Sequence, residues 1–271
     1  MFVRANSLSV HVQIRGPVHA PALVLLHSIG TNLHLWDAQA EALADRYRVV
    51  QPDLRGHGLS SVPAGPYSMA QMAQDIEALL SALSIAQAHV AGVSMGGAVA
   101  MALAASSPRR VLSLILCDTA PSFAPAAFWE GRARAVRADG LEWLVESALE
   151  RWVSEGFRQG VEADGMRAML RRTDPQGYAA SAQALASCNL EGVATGLRMP
   201  TLVLVGENDL STPVATARAL CDSIPGAVLK LLPARAHIPQ MEAPDHLNRL
   251  MGEFLDGTAP RKPDVSSKDL I

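Results

Sequence analysis

The segment Gly92-Val93-Ser94-Met95-Gly96 restricts the fold more than any other stretch of this chain. Upstream, Ala88-His89-Val90-Ala91 is short and apolar enough for a buried strand, and downstream residues 98–105 are Ala-rich and strongly helix-forming. A serine at the tip of so sharp a strand-to-helix turn has a strained backbone, and the positions two residues either side must lack side chains for the turn to close. Such a turn lifts the hydroxyl clear of a sheet and aims the unpaired N–H groups of a helix N-terminus at any anion forming beside it. The plain alternative is a Gly-rich connection in an α/β domain, so the rest of the chain must decide between the two.

Short apolar runs and helical patterns alternate along the first 120 residues. Residues 8–14 alternate apolar and polar, as a strand with one wet face does, whereas Ala22-Leu23-Val24-Leu25-Leu26 is suited to a strand covered on both sides. A helix is expected near residues 33–44, a strand at 47–50, and a helix from a Ser68/Gln71 capping box to about Leu83. After the Ser94 turn, 111–117 reads as the next buried strand. The rhythm predicts an α/β fold: a mostly parallel sheet with helices on both faces.

The rhythm stops at about Pro121 and resumes at about residue 197. Between them lie only helical patterns, near residues 126–138, 141–153, 161–171 and 176–186, and three of the four Trp (129, 143 and 152). So long a helical insertion predicts a cap (121–196) over the carboxyl edge of the sheet, with the core formed by 1–120 and 197–256. The remaining elements are strands at 200–206 and 227–232 and helices near 213–223 and 243–255; residues 257–271 read as a disordered tail.

Composition excludes several functions. A formal charge of −3 offers no field for nucleic acid or an anionic membrane, and no apolar run is long enough to span a bilayer. The N-terminus lacks the apolar core of a secretion signal, so a cytoplasmic location is expected. Three Cys (117, 188 and 221) at unrelated spacings suggest neither a disulfide framework nor a zinc site. Neither a metal nor an organic cofactor is expected. Oligomeric state is left open.

A serine hydroxyl needs a base to take its proton and a third group to hold that base. Of the eight His, only His237 and His246 follow Ser94, and His237 alone lies in a loop directly after a strand. Asp209, following the strand at 200–206, is the expected acid; Asp118, just after the preceding strand, and Glu207, in the same loop as Asp209, are rivals. The oxyanion donors are expected to be the N–H groups of Met95 and of Ile29, with Ser28 second. His27 reads as a structural hydrogen-bonder. The Asp53, Arg55 and His57 loop reads as turn scaffolding, with Arg55 paired to Asp53.

These motifs together resemble the α/β-hydrolase superfamily from about residue 8 to 256. They are Leu26-His27-Ser28-Ile29-Gly30-Thr31, Asp53-Leu54-Arg55-Gly56-His57-Gly58, the Ser94 turn, Gly206-Glu207-Asn208-Asp209 and Ala236-His237. Within it the chain is similar to 3-oxoadipate enol-lactonases, through Gly65-Pro66-Tyr67, Asp118-Thr119-Ala120, Phe128-Trp129 with Arg132, Glu150-Arg151-Trp152 and Gly177-Tyr178-Ala179. It departs from them at His27, where Asn is frequent, and at Pro239-Gln240.

The resemblance implies eight strands in the sheet and a carboxylic-ester hydrolase of aromatic catabolism that opens a small carboxylated lactone through an acyl-enzyme. Ser94 is then nucleophile, His237 base and Asp209 orienting acid. A free carboxylate on the substrate calls for a cation in the cap; Arg132, one helical turn from Trp129, fits that role, with Trp129 and Ser28 walling the pocket. A carboxylesterase, a lactonase for another ring, a cofactor-free perhydrolase or haloperoxidase, and a non-catalytic receptor are the alternatives.

Overall fold

The computed structural model describes residues 1–123 and 125–258. Its eight strands are β1 (Phe2–Ala5), β2 (Leu8–Arg15), β3 (Ala22–Leu26), β4 (Arg48–Pro52), β5 (Ala88–Val93), β6 (Val111–Cys117), β7 (Thr201–Gly206) and β8 (Val228–Leu232). They form one sheet in the order β1-β2-β4-β3-β5-β6-β7-β8, antiparallel across β1/β2 and β2/β4 and parallel from β4 onward. The mostly parallel α/β sheet expected from the alternating pattern is therefore present, with the eight strands that the resemblance implies. β1 carries no period of its own that marks it as a strand; it exists because it pairs with β2.

β3, β5 and β7 are buried along their whole length, and β6 at every residue but Leu112, the burial expected of parallel strands covered on both faces. Helices α1 (Asp37–Leu43), α2 (Met69–Ala82), α3 (Met95–Ser106), α9 (Val214–Ser223), α10 (Pro239–Glu242) and α11 (Pro244–Thr258) accompany the sheet. The hydroxyl of Ser68 accepts from the Gln71 N–H and caps α2, as the Ser68/Gln71 pattern predicts. α11 runs to Thr258, so Gly257 and Thr258 are helical; the rest of the expected tail, 259–271, lies outside the described residues.

Between β6 and β7 come only helices: α4 (Ala126–Asp139), α5 (Val145–Trp152), α6 (Val161–Arg172), α7 (Pro175–Ala186) and the single turn α8 (Glu191–Ala194). The insertion leaves and re-enters at one neck, where Ser122 and Asn189 form an antiparallel bridge and the Leu190 N–H donates to Pro121 O at 2.8 Å. α4 packs on α7 and α5 on α6, so these helices bury their apolar faces mainly against each other.

Register decides what meets at the carboxyl edge of the sheet. Leu26 pairs with Gly92, Val93 with Cys117, Cys117 with Leu204, and Gly206 with Leu232. The loops that begin at residues 27, 94, 118, 207 and 233 consequently open side by side.

Candidate active site

Ser94 stands between β5 and α3 with φ 53° and ψ −117°, a conformation that only over-determined surroundings maintain. Those surroundings are backbone. A Cβ at Gly92 would lie 2.3 Å from Gly96 O, and one at Gly96 would lie 2.3 Å from Leu26 O. The turn is anchored by the Ser94 N–H donating to Cys117 O at 3.0 Å and by the Thr119 hydroxyl donating to Ser94 O at 2.6 Å.

His237 lies past β8 and is almost fully buried, and its Nδ1–H donates to Asp209 Oδ2 at 2.8 Å. Asp209 Oδ2 also accepts the Thr212 hydroxyl at 2.7 Å, while Oδ1 accepts the N–H groups of Ser211 and Thr212 at 2.7 and 3.0 Å. Burial alone would push Asp209 up, but the charge and hydrogen bond of His237 and the bonds from Thr212 outweigh it and hold the carboxyl below the usual range. The loop bearing His237 is fixed by Glu242, whose carboxylate accepts from the Ala236 N–H at 2.9 Å and, from the insertion, the Ser154 N–H at 3.1 Å.

Asp118, the rival acid, lies close enough that ligand atoms of Asp118, Asp209 and His237 fall within 4.8 Å of one another. It is fully buried, and one oxygen accepts the Gly206 N–H at 2.8 Å. Burial first, and then the charge of Asp209, raise its carboxyl well above the usual range. Of the pair, Asp118 is therefore the acid that holds a proton the more readily and Asp209 the one that gives it up the more readily. The same three residues are the candidate metal group among the described residues. Among the described residues both oxygens of Asp209, His237 Nδ1 and one oxygen of Asp118 are engaged by each other or by neighbouring N–H and O–H groups, whereas Asp118 Oδ2 has no partner. Glu207 is directed elsewhere, accepting the Ala234 N–H at the surface.

A cavity of about 500 Å³ opens over Ser94 and His237. Ser28, Ile29, Trp129 and Arg132 line it, so the residues expected around the substrate are brought to one space. Met95 follows Ser94 at the start of α3; among the described residues neither its N–H nor that of Ile29 finds an acceptor, and the buried hydroxyl of Ser28 has no partner. The Arg132 guanidinium lies over the Phe128 ring at 4.3 Å and the Trp129 ring at 5.3 Å.

Three residues without an expected role also shape the site. Arg151, half-buried at the end of α5, lines the same cavity; burial and the nearby Arg132 lower its pKa. Its neighbour Tyr178 is fully buried and also reaches the cavity. Nothing local in the sequence says which way Arg151 points, but the Asp209/Thr212 spacing is a readable turn signal for the hydroxyl that braces the acid. The scaffolding expectation for Arg55 needs one correction: it pairs with Asp75 on α2, at 2.5 and 2.7 Å, and not with Asp53. Asp53 instead accepts the N–H groups of Leu33 and Leu59, which leaves no room for a guanidinium.

The sequence model for the alpha/beta hydrolase fold matches residues 21–151. The chain is 35% identical over 246 residues to 3-oxoadipate enol-lactonase 2 of Acinetobacter baylyi, covering 90% of this chain and 92% of that protein. Among solved structures it is similar to the enol-lactonase from Burkholderia xenovorans, with a TM-score of 0.92, 35% identity, and coverage of 94% of this chain and all of that one (100%). An esterase from Thermogutta terrifontis gives a TM-score of 0.90 at 29% identity, with 96% of this chain and 99% of that one covered.

Proposed function

The chain belongs to the α/β-hydrolase family, and from that premise we propose that it opens a small carboxylated lactone, of which 3-oxoadipate enol-lactone is the type, through an acyl-enzyme on Ser94. The observation that carries this reading is the pairing of chemistries in one cavity: Ser94, His237, Arg132 and Arg151 all line it, and among the described residues no carboxylate does. A cavity with two unneutralised guanidinium groups suits an anionic substrate, and the planar fork of Arg suits a carboxylate.

His237 Nδ1 is engaged by Asp209, so Nε2 is the nitrogen that takes the Ser94 proton as Oγ bonds to the lactone carbonyl carbon. The N–H groups of Ile29 and Met95 hold the oxyanion. Collapse breaks the ring C–O bond, and His237 returns its proton to the departing enol oxygen; the enol then ketonises and makes ring opening irreversible. Water, deprotonated by His237, next attacks the acyl carbonyl and frees the acid, and the proton returns to Ser94. In this reading the helices between β6 and β7 are a cap that selects the substrate while the sheet edge performs the reaction.

A carboxylesterase would use the same machinery without the arginines. The test is kcat/KM for a carboxylated enol-lactone, its neutral methyl ester and p-nitrophenyl acetate, with wild type, Ser94→Ala and Arg132→Ala. The proposal expects Ser94→Ala to lose about 10⁴-fold or more on every substrate. Arg132→Ala should raise KM about tenfold or more for the acidic lactone alone. Equal losses on acidic and neutral substrates would remove the carboxylate from the reading.

A further inference from the structure

We propose that His27, held as its Nδ1–H tautomer, is a positioning residue that turns the Ile29 N–H into the cavity; this rests on the reading of Ser94 and its oxyanion donors given above. His27 is fully buried at the carboxyl end of β3. Its Nε2 receives the Leu54 N–H at 2.9 Å, and a ring nitrogen that accepts carries no proton. The proton of the neutral ring therefore sits on Nδ1, which lies 2.8 Å from Ser28 O, an oxygen with nothing to donate. The same carbonyl also accepts the Thr31 hydroxyl at 2.8 Å and, more weakly, the Thr31 N–H at 3.3 Å.

Ser28 C=O and Ile29 N–H belong to one peptide group. That group is planar and trans, so its oxygen and its hydrogen point in opposite directions. Three donors fix the oxygen on the protein side, which leaves the hydrogen facing away from them; Ser28 and Ile29 both line the cavity. Turning the peptide over would break all three bonds and put a carbonyl oxygen where the oxyanion forms. Donation to the carbonyl also polarises the amide and strengthens its N–H as a donor. The following peptide is pinned too, by the Gly30 N–H donating to His57 Nε2 at 3.0 Å, with Gly30 at φ +73°.

The test compares wild type with His27→Ala, His27→Asn and Thr31→Val, with rates expressed per Ser94 labelled to completion by an organophosphate. The inference expects His27→Ala to lower kcat about 10- to 100-fold with KM changed less than about threefold, and to weaken a trifluoromethyl ketone, whose adduct oxyanion occupies the hole, by the same factor. His27→Asn, whose amide N–H donates to Ser28 O, should restore part of the loss, and Thr31→Val should lose several-fold. Nitrogen-detected NMR of the wild type should show His27 protonated at Nδ1. An unchanged kcat per labelled site, an unchanged ketone affinity, or an Nε2–H ring would overturn the inference; Thr31→Val and the NMR spectrum decide it even if His27→Ala fails to fold. Failure of the organophosphate to label Ser94, or an active Ser94→Ala, would instead overturn the hydrolase reading itself.

Discussion

The loops at the sheet edge and the helices inserted between β6 and β7 face one cavity, yet they are held in place by different forces. On the sheet side Ser94, Asp209 and His237 are 6%, 3% and 2% exposed, and Asp209 and the His27 loop engage donors at almost every acceptor. On the helical side Arg132 lies over aromatic rings, Arg151 is half-buried beside it, and Phe128 is 45% exposed. The ion pairs of that side, Arg167–Glu146 and Arg171–Glu142, lie at the surface. Saturated backbone hydrogen bonds leave the sheet edge a single arrangement, which is what bond-making needs. Side chains on helices that pack mostly against each other can change without disturbing it, and this is how one reaction is fitted to different substrates.

The largest effect expected on the sheet side separates the two buried acids. Asp209→Asn should cut kcat by about 10⁴-fold, because an amide can hold His237 in the wrong tautomer. Asp118→Asn should cost less than about tenfold, since burial and the charge of Asp209 already favour the neutral form of Asp118 and Asn can still accept the Gly206 N–H. Steady-state rates at pH 7 check both, and equal losses would make Asp118 the working acid.

On the helical side Arg151→Ala should raise KM for a carboxylated lactone about tenfold and leave kcat nearly unchanged, the signature of uniform binding. A fall in kcat with constant KM would move Arg151 from recognition to chemistry.

The smallest effect concerns acid stability. Burial, and then the proximity of His27, lower His57 to about 3. In the unfolded chain it titrates near 6.5, so between those values the unfolded state binds more protons and stability rises with pH. The contribution of His57 is full above about 6.5 and is lost as pH falls toward 3. His57→Gln should lower Tm at pH 7 and flatten the decline of Tm between about pH 6 and 4, as read by thermal melts. A variant curve parallel to the wild type would show that His57 is not the group responsible.

Much of this molecule is written in short stretches of its sequence. The Gly92/Ser94/Gly96 spacing carries a steric demand that only a sharp turn meets, and the apolar runs at 22–26 and 111–117 are the strands observed. The Ser68/Gln71 cap and the placing of Ser94, Asp209 and His237 past the ends of β5, β7 and β8 are legible for the same reason: sterics, periodicity and capping act between residues a few positions apart. Tertiary structure alone decided that Arg55 pairs with Asp75 and not Asp53, that burial and Asp209 push the Asp118 carboxyl up, and that Arg151 lines the cavity. It also made a strand of residues 2–5 by giving them β2 as a partner. Charge state and pairing depend on how much water is removed and on which groups arrive from distant parts of the chain, and no local pattern carries that information.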